Sequence, residues 1–238
     1  MKLLLLLLSG LKLGKLLTTG GTMLLSIVTY AFFYGWRYAV GFVALLFVHE
    51  MGHFLAARQR GLDVGAPTFI PFVGAWIELK RQLPDAETEA FVGLGGPLLG
   101  SIGAWGVYWW AQAHHTPWLL AVAYAGFFLN LFNLIPLSPL DGGRITAVLG
   151  PRVWLLGVPV LLGVFLYRPS PMLVLIAVLA VPQLLQAIRG APPSGAGSAY
   201  YAVRPAIKLE YGAYYLLLLA FLGLMTHRVH EQLGSWGG

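Results

Sequence analysis

The 238-residue sequence contains no cysteine. Disulfides and thiolate metal sites are thereby excluded, so any metal must be held by nitrogen and oxygen. Charge is scarce too: Asp, Glu, Lys and Arg fill 10% of positions, where an ordinary soluble domain carries about 25%. Such a chain cannot clothe a water-facing surface. Aspartate is rarer still, with Asp63, Asp85 and Asp141 as the full set. What fills the space is apolar: 58% of residues are hydrophobic and the mean hydropathy is +0.75. These values predict an all-α polytopic integral membrane protein whose surroundings are the lipid bilayer. The net charge of +6 does not point to nucleic acid, because the basic residues lie between apolar segments rather than on one face.

Periodicity and helix breakers mark seven apolar segments, 22–36, 38–57, 90–112, 117–135, 152–167, 171–188 and 209–227. Several approach the roughly 20 residues that a bilayer crossing needs, giving six or seven transmembrane helices. Arg37, the Thr116–Pro117 pair and the Arg168–Pro169 turn separate neighbours. Segments 22–36 and 152–167 are short for full spans. Residues 1–21 read as an amphipathic segment lying at the membrane interface rather than a cleaved signal, since the leucine block after Lys2 is short, no small-x-small cleavage site follows it, and Ser9, Lys12 and Lys15 recur at helical spacing. Residues 22–150 then form a membrane core that holds the chemistry, and 151–238 supply C-terminal transmembrane helices. No soluble stretch is long enough for an added domain. Residues 67–80 are apolar but too broken to span; they fit a small re-entrant β-hairpin, or an interfacial loop anchored by Phe72 and Trp76.

Orientation follows from the basic residues, which accumulate on the cytoplasmic side. With the N-terminus inside and seven crossings, twelve fall inside and only Arg37, Arg168 and Arg228 fall outside. The expectation is a multi-pass protein with a cytoplasmic N-terminus, and with Arg58, at the end of segment 38–57, on the same side.

Segment 38–57 contains His49, Glu50 and His53. Ionisable groups inside a span cost a few kcal/mol or more each, so three in one turn call for a function. His49 and His53 are four residues apart and share a helix face. That spacing suits two ligands of a tetrahedral zinc, with Glu50 beside them as a general base. A third protein ligand is then needed. Asp63 and Asp85 read as solvated loop residues, whereas Asp141 lies at the end of an apolar span, within the run Asn133-Leu-Ile-Pro-Leu-Ser-Pro-Leu-Asp141-Gly-Gly-Arg144. Pro136 and Pro139 cannot continue a helix, and irregular backbone at membrane depth is tolerated where it lines a cavity. Asp141 is the expected third ligand; the competing role is the N-cap of a short helix from Arg144. His114, His115, His227 and His230 read as polar helix ends, although His227, His230 and Glu231 would also suit an accessory metal.

The pair His49-Glu-Met-Gly-His53 and Asn133-x-x-Pro136-x-x-x-x-Asp141-Gly-Gly resembles the double signature of the site-2 protease family of intramembrane zinc metalloproteases. The resemblance covers roughly residues 38–145. It implies a zinc metallo-endopeptidase with one Zn2+ per chain, bound by His49, His53 and Asp141, with Glu50 activating water; the basic-residue asymmetry sets this site toward the cytoplasmic side. Asn133 matches an asparagine that helps hold the substrate, which would be a transmembrane protein cleaved in regulated intramembrane proteolysis. Gly93-Leu-Gly-Gly-Pro97 is similar to the glycine-rich entry of the family's middle core helix; on its own, the Gly96–Gly100 spacing reads as helix packing. No PDZ or CBS domain accompanies the core, unlike many members. Two other readings stay open: a metal transporter, which does not need Glu50 as a base, and a proteolytically inactive member of the family.

Overall fold

In the computed structural model, which describes residues 11–65, 67–72, 74–76, 83–189 and 199–236, glycine decides where the first apolar stretch breaks. Gly35 takes φ 83°, a left-handed conformation that side chains disfavour, and separates helix α1 (Leu11–Tyr34) from α2 (Trp36–Gln59). Arg37, the expected separator, lies inside the first turn of α2. α1 runs without interruption through the expected boundary at residue 21, and residues 1–10 of that segment lie outside the described residues. Two short strands follow, β1 (Thr68–Ile70) and β2 (Gly74–Trp76), paired antiparallel with Phe69 opposite Ala75. The hairpin docks on α1 through polar caps rather than a sheet. Thr19 Oγ1 donates to Pro67 O at 2.7 Å, Thr22 Oγ1 accepts from Phe69 N, and Tyr30 OH accepts from Phe72 N. Residues 77–80 of the expected hairpin lie outside the described residues.

Helix α3 (Ala86–Ala113) begins at Asp85, whose carboxylate accepts from Thr88 N at 2.7 Å. Asp85 is therefore an N-cap and not a free loop residue. Glu87 and Glu89 follow in the first turn, where the helix dipole favours anions. Glu87 meets Arg60 at 3.6 Å, and Glu89 accepts from Tyr200 OH at 2.6 Å. Burial and the Glu89 charge push the Tyr200 phenol up, so it remains a donor at ordinary pH. The chain continues through α4 (Pro117–Asn133), α5 (Asp141–Thr146) and two 3-10 turns, Ala147–Leu149 and Pro151–Leu156. Helices α6 (Gly157–Tyr167), α7 (Pro171–Arg189) and α8 (Pro205–Trp236) complete it.

Four of these helices, α2, α3, α7 and α8, are long and apolar enough to cross a membrane, fewer than the six or seven expected. The shortfall has local causes. α4 ends at Asn133, just ahead of Pro136, and residues 151–156 wind as a 3-10 turn from Pro151, leaving a regular helix of 11 residues. Outward faces are apolar, as lipid contact requires: Leu216, Leu217 and Leu224 of α8 are 61%, 69% and 66% exposed.

The main core lies among α2, α3, α4 and α8, around Leu45, Ala104, Leu120, Phe127 and Leu222. A second cluster joins residues 135–140 to α6 and α7 through Leu137, Leu161, Leu173 and Ile176. α2 crosses α3 closely. A Cβ at Gly52 would strike the Gly95 carbonyl, and one at Gly95 would lie 2.6 Å from Gly52 O. Backbone therefore touches backbone, as small residues at membrane helix crossings allow. Substituting Gly52→Ala is expected to cost about 1–3 kcal/mol by overpacking, seen as a lower thermal midpoint in detergent. Gly20→Ala, at a helical site with open space around it, should leave the midpoint unchanged or raise it.

Candidate metal centre

The apolar run of α2 carries His49, Glu50 and His53 into the interior, where they are 2%, 5% and 6% exposed. Asp141, 7% exposed, comes from the opposite direction. It starts α5 but does not cap it; the N-cap is Leu140, with no side-chain hydrogen bond. Gly142 and Gly143 make the approach geometrically feasible. A Cβ on Gly142 would strike the Leu134 carbonyl, and one on Gly143 would meet the Leu137–Ser138 backbone at 2.6 Å. Trp154 Nε1 donates to Gly143 O at 2.8 Å and Thr146 Oγ1 to Gly142 O at 2.6 Å, which holds the turn in place.

The three side chains converge closely. His49 Nε2 lies 3.1 Å from Asp141 Oδ2, His53 Nε2 lies 3.1 Å from Asp141 Oδ1, and the two Nε2 atoms are 3.2 Å apart. The partners of the other ring nitrogens fix the tautomers. His53 Nδ1 is 2.8 Å from Val92 O, a carbonyl that only accepts, so Nδ1 carries the hydrogen. His49 Nδ1 is 2.8 Å from Asn130 Oδ1, while Asn130 Nδ2 donates to Gly126 O at 2.7 Å. That second bond orients the amide, so Asn130 Oδ1 accepts from His49. With both hydrogens on Nδ1, the two Nε2 lone pairs and the carboxylate face one another without a donor between them. Acceptors gathered this way in a buried site call for a cation, and among the described residues these three form the one cluster of at least three such side chains suited to hold a metal ion.

Glycines of α3 shape the seat. A Cβ at Gly96 would run into the His53 imidazole, and one at Gly100 into the Asn130 amide. These glycines thus touch the metal-facing imidazole and its neighbour's hydrogen-bond partner, beyond the helix packing that their spacing suggests. Asn130 is the group that reading the sequence for motifs passes over. Its signal was present: an amide inside an apolar helix must find a partner, and Asn130 sits one turn before Asn133 in α4.

All the expected site residues, His49, Glu50, His53, Asn133 and Asp141, line one cavity of about 570 Å3. Its remaining walls are largely apolar, from Phe132 of α4, Leu175 and Leu179 of α7, and Ile70 and Ala75 of the hairpin. The other histidines stay apart. His227 pairs with Glu231 at 3.4 Å on the surface, and His230 packs against Tyr124 with ring centres 5.6 Å apart.

Comparison with known proteins gives the same direction. Residues 37–116 match the model of Peptidase family M50, a stretch that includes α2 and most of α3. A zinc metalloprotease of Methanocaldococcus jannaschii is 29% identical over 126 residues, covering 51% of this chain and 36% of that protein. Rip3 of Mycobacterium tuberculosis, described as a zinc metalloprotease, is 32% identical over 117 residues, 45% of this chain and 29% of its own length. The chloroplast zinc metalloprotease EGY1 of Arabidopsis thaliana is 38% identical over 68 residues, 26% of this chain and 12% of that protein. The chain thus spans between 12% and 36% of the length of these relatives. Among solved structures, the site-2 protease from Methanocaldococcus jannaschii aligns with a TM-score of 0.47 and 21% identity, covering 71% of this chain and 86% of that one. Through the segment 37–116 and the metalloprotease relatives that share it, the chain is similar to peptidase family M50, the family of the site-2 proteases.

Proposed function

We propose that this chain is a membrane-embedded zinc endopeptidase that hydrolyses peptide bonds of membrane-protein substrates, the chemistry of regulated intramembrane proteolysis. The observation that carries the reading is the meeting of His49, His53 and Asp141 beside Glu50 in one cavity. The donor set suits zinc: two imidazole nitrogens and a carboxylate, with no thiolate. Ligand atoms of a tetrahedral site with bonds of about 2.0–2.1 Å stand about 3.3 Å apart, and the atoms here stand 3.1–3.2 Å apart. The names of the relatives as zinc metalloproteases support the same ion. When bound, zinc supplies Lewis acidity, polarising a carbonyl and lowering the pKa of water to about 7.

The protein's own groups do the rest. Glu50 accepts the proton of the attacking water and passes it to the leaving amine as the C–N bond breaks. Asn130 and the Val92 carbonyl hold the imidazoles with Nε2 inward, the outer-shell role that orients ligands and raises their basicity. Asn133 holds the substrate backbone from the cavity wall, and Phe132, Leu175 and Leu179 receive apolar side chains while excluding water. A substrate helix ties up its own carbonyls, so it must unwind before attack. An opened stretch would lie along the hairpin, whose Ile70 and Ala75 line the cavity. Counted over the seven apolar segments read from the sequence, the asymmetry of basic residues favours a cytoplasmic N-terminus and an active site toward the cytoplasm.

Glu50→Gln should reduce cleavage of a model membrane peptide by at least about 10²-fold while zinc content, measured by metal analysis, stays near one per chain. Cleavage that persists would overturn the protease reading, and zinc flux that survives the same change would favour a transporter. Asn130→Ala should weaken zinc binding roughly 10–100-fold in chelator competition. Replacing Gly, Pro or polar residues of the substrate helix with leucine and alanine should slow its cleavage, measured by product accumulation.

A further inference from the structure

A second cavity, of about 400 Å3, opens on the far side of α2 from the metal centre. Its floor follows the stripe Arg37, Gly41, Ala44 and Val48, with Gly103 of α3 and Val122 of α4 as walls. By helical rotation this stripe is turned about 100–150° from His49 and His53. Gly41 lets Val122 close in, since a Cβ there would lie 2.9 Å from its side chain, and Gly103 does the same for Val48 at 3.0 Å. The result is a narrow channel. From Arg37 to Val48 it runs about 16 Å at the α-helical rise. Its apolar lining along this length, with Val40, Leu45, Val107 and Leu119 beside the stripe, suits an unbranched methylene chain touching its neighbours at about 4 Å.

The mouth of the channel is polar and of one sign. Arg37 sits there between Trp36 and Trp118, which are 66% and 38% exposed, and its guanidinium lies 5.7 Å from the Trp36 ring centre. Trp109 at the same end of α3 is 61% exposed. Tryptophans grouped at one end of apolar helices mark the headgroup level of a bilayer, with the channel descending from it into the hydrocarbon. Among the described residues Arg37 has no carboxylate partner, and no acidic residue lines the channel. A guanidinium fork matches phosphate oxygens. A headgroup carrying its own cation would find no anion here to receive it, whereas a net negative one is complementary.

We propose that this channel binds one anionic glycerophospholipid, its phosphate on Arg37 and one acyl chain along Gly41, Ala44 and Val48. The site is separate from the cavity that holds His49 and Asp141, and its test does not depend on proteolysis.

The full chain is reconstituted in nanodiscs with equal amounts of phosphatidylglycerol and phosphatidylcholine of matched acyl chains, then released into mild detergent for native mass spectrometry. One phosphatidylglycerol per chain is the expected retained lipid. Arg37→Gln should lower the ratio of phosphatidylglycerol to phosphatidylcholine about fivefold, the loss expected for one basic residue near an anionic surface. Ala44→Phe, which fills the channel from an exposed position, should remove both lipids while the thermal midpoint stays that of the parent. Equal retention of the two lipids by the parent, or retention unchanged in both variants, would overturn the proposal. So would a dimer that Ala44→Phe dissolves, since the channel would then be a contact between two copies.

Discussion

Three acceptor-bearing side chains brought within 3.1–3.2 Å of one another in a buried place form an unstable arrangement unless something positive joins them. Much of the structure is explained by what is needed to hold them there. Two of the three come from one turn of α2, so their separation is given by helix geometry alone. Asp141 must be carried in from residues far along the chain, and the proline-broken run 134–140 and the two glycines behind it deliver it. Asn130 and Val92 then fix the ring orientations from α4 and α3. Four segments thus meet at one point, and the main core of α2, α3, α4 and α8 surrounds the same crossing.

The parts of this arrangement visible in the sequence are those where one residue type stands out against its neighbours. His49, Glu50 and His53 interrupt an apolar run and cost energy there, so they declare themselves without any fold. Asp141 is legible because aspartate is so rare and because its surroundings are irregular. The helices of 38–57, 90–112 and 171–188 are legible because length and apolar content suffice. Pairing across the fold is not. The spacing of Gly96 and Gly100 announces a close approach but not that His53 and Asn130 are what approach. Asn133 stands in a recognisable motif and Asn130 does not; only the helix orientation places Asn130 against an imidazole.

Turns and caps are the other illegible class. The break between α1 and α2 belongs to Gly35, whose positive φ decides it, and not to the charge of Arg37 two residues later. Asp85 reads as a solvated residue because its partner is a backbone N–H, which sequence composition does not display. The six or seven expected spans count apolar length, and a 3-10 turn from Pro151 or an early stop at Asn133 uses such length without forming a long helix.

The glycine face of α3 has a further consequence. Because main-chain atoms and the bare Cα of Gly96 stand against His53, the dimensions of the ligand cage are set by peptide geometry, which mutation cannot trim further. Side-chain substitution along that face can only add bulk. The cage can therefore be spoiled in many ways but enlarged in almost none, which makes its size a fixed property of how two backbones cross, and leaves variation in the cavity's shape to the apolar walls supplied by α7 and the hairpin.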